Sequence, residues 1–207
     1  MIAALAMLGL LAACLQGQQQ APLAASGPDA RWLQEPLTDW NAAAADIPKA
    51  PASKTPEQEW ERCSSVRRPS NANERALIDV GWHLSGVART SGKLSVVRVA
   101  GGLDEMCHPV DYQSLVFQGK QFVGRLSPVP MNTRTDGDLG AVVFPADNHI
   151  VVDAHGYVID AYFSRYAAGD AACCPSTTVI VHYLLGGRGA SLHLVPKAVV
   201  SLHNAAH

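Results

Sequence analysis

Short apolar runs rich in β-branched residues fill the second half of the chain, and turn residues separate them. Leu94 to Ala100 reads LSVVRVA, a valine-rich strand closed by Gly101-Gly102. Tyr112 to Phe117 and Gln121 to Leu126 flank Gln118-Gly119-Lys120, the signature of a hairpin. Ala141 to Phe144 runs into the turn Pro145-Ala146-Asp147-Asn148. After it, His149 to Asp153 and Tyr157 to Phe163 flank Ala154-His155-Gly156, a second hairpin whose glycine can take a positive φ. Thr177 to Leu185 is the longest run. Alternation puts Val179, Val181 and Tyr183 on one face and Ile180, His182 and Leu184 on the other. Both faces are apolar, which predicts a central strand. Leu192 to Val195 and Ala198 to Leu202 add edge strands. Short strands on short loops predict an antiparallel meander of about six to eight strands.

Helical signals precede the strands. In Thr55-Pro56-Glu57-Gln58 the threonine can cap, the proline fits a first turn and Gln58 stands at the capping-box position. This helix would run to about Ser64, with Trp60 and Cys63 on one face. Asn71 and Glu74 have capping-box spacing, and Leu77, Val80 and Leu84 follow as a core-facing stripe. Gly81 would weaken this second helix and Gly86 would stop it. His83, near its end, reads as a surface or half-buried histidine. The predicted fold class is α+β: an antiparallel β-meander sheet with one or two N-terminal helices.

The N-terminus is of a different kind. Residues 1–13, MIAALAMLGLLAA, form an apolar run too short to span a bilayer but long enough for a signal-peptide core. Leu11-Ala12-Ala13-Cys14 resembles the lipobox of bacterial lipoproteins, in which cleavage precedes the cysteine and its thiol is acylated; here no Lys or Arg precedes the run. Residues 14–54 are rich in Gln, Ala, Pro and Ser and read as a lipid-anchored flexible tether, interrupted by Trp32, Leu33, Leu37 and Trp40, with partial docking on the body expected through a short Ala-rich helix from Leu37 to Asp46. Residues 55–207 form the expected single globular domain. Leu15 after the cysteine, in place of aspartate, implies the outer membrane if the host has two.

Composition narrows the partners. Of 207 residues 48% are hydrophobic and 16% charged, which is globular and not disordered. The net charge is −2 with no basic block, so nucleic acid is not an expected partner. The string Cys107-His108-Pro109-Val110-Asp111-Tyr112-Gln113-Ser114-Leu115-Val116-Phe117, with Gly119, Phe122-Val123-Gly124 and Ala172-Cys173-Cys174-Pro175-Ser176, resembles the LppP/LprE group of bacterial lipoproteins. The resemblance spans roughly residues 72–186. It implies an envelope lipoprotein and carries over no catalytic residues.

Four body cysteines in an oxidising compartment predict two disulfides. Adjacent Cα atoms lie about 3.8 Å apart, below the usual disulfide range, and neighbours in an extended segment point oppositely. Cys63 and Cys107 are therefore each expected to bond one of Cys173 and Cys174. The rival reading takes Cys107-His108 and Cys173-Cys174 as soft ligands for copper or zinc, although their spacing fits no zinc pattern. Asp136-Gly137-Asp138 hints at calcium but lacks the rest of an EF-hand loop, so it reads as a polar turn. Asp153 and His155 flank a turn, and Asp104-Glu105 reads as solvated. No nucleophile-elbow, zincin or phosphate-loop motif is present. The expectation is a non-enzymatic lipoprotein without cofactor, held at the membrane by its N-terminal lipid. It would bind or support an envelope or host component. The alternatives are a periplasmic metal-binding protein and an inhibitor or scavenger of host enzymes.

Overall fold

The computed structural model describes residues 30–204 apart from 34–35, 44–45, 64–66, 134–135, 137, 146–155, 168 and 172. Cys14, the leader, the strand expected at 149–153 and the pair Asp153 and His155 lie outside the described residues.

The protein is built mostly of antiparallel strands, with two short helices among the described residues. Helix α1 spans Glu57–Arg62 and α2 spans Ala72–Asp79. The strands are β1 (His83–Leu84), β2 (Arg89–Ser91), β3 (Leu94–Ala100), β4 (Gly102–Leu103), β5 (Pro109–Val110), β6 (Gln113–Gln118), β7 (Gln121–Arg125), β8 (Leu139–Val143), β9 (Ile159–Arg165), β10 (Thr177–Gly186) and β11 (His193–His203). They form two main sheets, where the sequence pattern predicted one. The first runs β1-β3-β6-β7 with β2 also on β3; the second runs β11-β10-β9-β8; β4 and β5 pair apart.

Alternation along β3 explains the layering. Val96 and Ala100 enter a core shared with Val116 and Val123 of the first sheet and Ile159, Phe163, Val179, Val181 and Tyr183 of the second. Val97 and Val99 point the other way, into a second core with Leu77 of α2, Trp82, Leu84, Leu115 and Phe117. The first sheet is thus covered on both faces, which its near-continuous apolar strands require.

The predicted hairpin at Gly119 is present. Gln118 pairs with Gln121 across a two-residue turn, and Gly119 takes φ +60°. Strand β10 is central, between β9 and β11. The two edge strands expected after it are one strand, β11. Its register slips opposite His182/Tyr183, where Pro196 and Ala198 are the successive partners, and this bulge admits Pro196 to an edge strand.

Helix α2 begins as expected. Asn71 Oδ1 accepts the Glu74 N–H at 3.0 Å. It ends earlier than expected, at Asp79, because Gly81 turns the chain at φ +93° and gives its N–H to Ile78 O. His83 and Leu84 then leave the predicted helix and pair as β1 with Ala100 and Val99. Helix α1 is not capped by Thr55. Pro56 occupies the N-cap position, and Thr55 Oγ1 instead exchanges bonds with the Leu103 backbone.

The stretch read as a tether is packed over its latter part. Leu33 and Asn41 are buried, and Trp32, Leu37 and Trp40 lie against the shared core. Trp32 meets Trp40 and Phe163 edge-on, with ring centroids 5.4 and 5.3 Å apart. Ile47 and Ala50 pack on the second core.

Candidate functional site

Three places gather chemistry: a cleft beside one disulfide, a charged cluster at one end of the shared core, and an exposed cysteine pair.

The cleft, of about 360 Å³, lies between residues 52–59 and the segments at Gly101–Glu105 and Val110–Asp111. Gly101-Gly102 makes the crossing possible. A Cβ on Gly102 would stand 3.0 Å from Val110 Cγ2 and 3.1 Å from Thr55 Oγ1, tighter than ordinary contact. Lys54, Glu59, Asp104, Glu105 and Asp111 mark the rim. Asp104, expected to be solvated, is engaged. Its carboxylate accepts the N–H groups of Met106 and His108, each at 2.8 Å, and faces His108 Nδ1 at 3.1 Å. Burial is the largest single effect there and opposes ionisation, but these bonds together, His108 foremost among them, hold the carboxyl below its usual range. The turn so formed presents Cys107 at φ +66°, opposite Cys63 at the end of α1.

Cys63 and Cys107 are bonded to each other, with Cα atoms 5.5 Å apart, and Cys173 is bonded to Cys174, with Cα atoms 3.8 Å apart. This corrects the expected pairing, in which each of Cys63 and Cys107 met one of Cys173 and Cys174. The exclusion of the vicinal bond assumed an extended segment. Cys173 instead sits in a turn, where the Cys174 N–H bonds Ala171 O at 2.9 Å, and strand alternation does not separate the two side chains.

The charged cluster centres on Arg98, in the middle of the valine-rich β3. Alternation turns Arg98 to the face of Val96 and Ala100. There it stacks over the Tyr112 ring, 4.7 Å from its centroid, and forms an ion pair with Asp138. Arg165 of β9 donates to Asp136 O, and Asp136 Oδ2 accepts the Asn132 N–H at 2.8 Å. The two aspartates read as a polar turn therefore join β3 and β9. Burial pushes the Tyr112 hydroxyl well above its usual range and lowers the Arg165 guanidinium. Among the described residues, Arg98 Nε, Ser114 Oγ and Gln113 Oε1 are buried and meet no hydrogen-bond partner. An arginine inside LSVVRVA was the available signal for this cluster, and the sequence reading passed over it.

Histidines serve as contacts. His83 stacks on Trp60 at 3.9 Å, and its burial lowers its basicity. His182 of β10 meets its cross-strand neighbour Asp160 at 2.7 Å and stacks on Tyr157. His193 of β11 meets Asp39 at 3.0 Å. Among the described residues no group of three His, Cys, Asp or Glu side chains is placed to hold a metal ion.

Fold and cystines define the class, a disulfide-tied and mainly antiparallel β domain entered by a docked N-terminal segment. The model of the LppP/LprE lipoprotein family matches residues 89–188. The match runs from β2 to the loop after β10 and takes in the Cys-Cys-Pro-Ser turn, so the resemblance read from the sequence stands; that family implies an association with the cell envelope. Comparison with the curated proteins and with the solved structures returned no significant match.

Proposed function

We propose that this protein is a lipid-anchored envelope lipoprotein, acylated at Cys14, whose β domain binds or supports another component without catalysing a reaction. One observation carries the reading: the domain's charged side chains hold its own fold together. Asp104 shapes the Cys107 turn, Asp138 pairs with Arg98, Arg165 secures the Asp136 turn and Glu74 ties Ser70 and Arg67 to the start of α2. Such a domain presents a surface for a partner, and the cleft at Lys54, Asp104 and Asp111 is a formed concavity on it. In a host with two membranes its place is the outer one, since Leu15 follows the cysteine.

The test labels cells with an alkyne fatty acid and compares wild type with Cys14→Ser. Labelling and membrane recovery of the wild type alone is expected. Equal labelling of both would overturn the anchor. For the binding role, a photo-crosslinker at Lys54 should give a discrete adduct in the envelope that the same group at exposed Val87 does not.

A further inference from the structure

The Cys173–Cys174 bond has little to do for the fold. A disulfide stabilises mainly by closing a loop in the unfolded chain, and the gain grows with loop length. Cys63–Cys107 spans a separation of 44 residues, whereas Cys173–Cys174 spans 1. The turn around the pair is also held by other bonds. Asp170 accepts the N–H groups of Ala167 at 2.7 Å and Ser176 at 2.8 Å. Asn204, past β11, donates its side-chain amide to Pro175 O and its own N–H to Ser176 O. On either side β9 and β10 pair without a slip from Thr177↔Arg165 to Tyr183↔Ile159. Both cysteines are exposed, whereas Cys63 and Cys107 are half-buried.

We infer that Cys173–Cys174 is a redox site that exchanges with dithiol reductants, small molecules or protein CxxC-type dithiols, from the solvent side of the β9–β10 turn. A thiolate of the reductant attacks one Sγ, the Cys173–Cys174 bond breaks and the other cysteine leaves as thiolate, which takes a proton. The reductant's second thiolate then attacks the mixed disulfide and releases the first cysteine. The dithiol is oxidised to its disulfide and the pair is reduced to two thiols, two electrons in all. Exposure admits the attacking sulfur, and the independently held turn keeps the two thiols side by side for re-closure. This site goes beyond the binding reading and does not depend on it.

The test treats the full-length lipidated protein in detergent with graded dithiothreitol under native conditions, followed by acid quench, alkylation and peptide mapping. Cys173 and Cys174 should become alkylated at reductant concentrations at least about tenfold below those that open Cys63–Cys107. The circular dichroism spectrum should be unchanged, and oxidised dithiothreitol should restore the bond. The Cys173→Ser/Cys174→Ser variant should keep the wild-type melting temperature while one equivalent of dithiol consumption is lost. Opening of both disulfides together would overturn the proposal. So would unfolding on reduction of the pair, or a double variant that melts well below wild type, since either would make the bond structural.

Discussion

Glu74 shows how a capping signal reads correctly in kind and incompletely in partner. Its spacing from Asn71 was legible, and Asn71 does cap the helix. The Glu74 carboxylate, however, bonds the N–H and Oγ of Ser70, at 2.6 and 2.8 Å, and Arg67 at 2.8 Å. Arg67 arrives from beyond the capping motif, which local spacing does not reveal. Burial of this group raises its pKa, but the bonds from Arg67 and Ser70 outweigh it and bring the carboxyl to about 2. The folded value is below the unfolded one, so the carboxylate's contribution is present above the ordinary glutamate range and is lost as pH falls through about 2. Urea denaturation should show stability falling between pH ~5 and ~2, with roughly 2–3 kcal/mol of the loss due to this group. In Glu74→Gln that part of the acid limb should be missing, and the variant should be weaker at pH 7. Asn41 is a second such residue. Its amide donates to Arg125 O of β7 and Leu194 O of β11 and accepts the Arg125 N–H, tying the two sheets together. Gly124, at φ +146°, makes room for it, since a Cβ there would stand 2.6 Å from Asn41 Cγ. Gly124→Ala should cost about 1–3 kcal/mol in thermal or chemical unfolding. Nothing in the local sequence of either residue announces the other.

At the scale of elements, most strands were legible because valine and aromatic runs between turn residues leave few alternatives. Strand β3 matches its predicted run from Leu94 to Ala100. The second helix was misjudged over its last turn because Leu84 continues the apolar stripe, whereas the backbone had already turned at Gly81. The division into two sheets was not legible, because it depends on β8 pairing with β9 and not with β7. The cysteine pairing failed for a similar reason. Approach of α1 to the turn after β4 is a tertiary fact, seen also where Arg62 Nη2 donates to Glu105 O at 3.4 Å. The observed connectivity determines what Cys107→Ser should do. That variant should free the Cys63 thiol and leave Cys173–Cys174 closed, with a stability loss of ~2–4 kcal/mol. Alkylation mapping of the native variant checks it. A free thiol at 173 or 174 would restore the original pairing.

For the whole molecule, composition and packing disagree most over the N-terminal segment. Its Gln, Ala and Pro content reads as tether, yet its few large residues fix the part from Trp32 onward to the domain. Trp40 Nε1 donates to Arg125 O at 3.0 Å, Trp82 Nε1 reaches back to Pro48 O at 2.7 Å, and Asp39 faces His193. On the proposed acylation of Cys14, the stretch left to act as a tether is accordingly shorter than residues 14–54. Part of the docking is sensitive to pH. The Ser191 carbonyl on Nδ1 does most to raise the pKa of His193; burial opposes it, and Asp39 on Nε2 adds to the rise, which is the net result. With the folded value above the unfolded one, the ion pair's contribution is complete below the ordinary histidine range and is lost as pH rises through the folded value. Residues 36–43 should therefore dock more firmly at pH 6 than at pH 8.5. Limited proteolysis, with Trp fluorescence as a second probe, should show cleavage in this segment rising with pH by no more than about fivefold, the reach of one partly exposed ion pair. His193→Asn should flatten that dependence while the Asn41 and Trp40 bonds keep the segment in place. A pH response unchanged in His193→Asn would move its cause to another group.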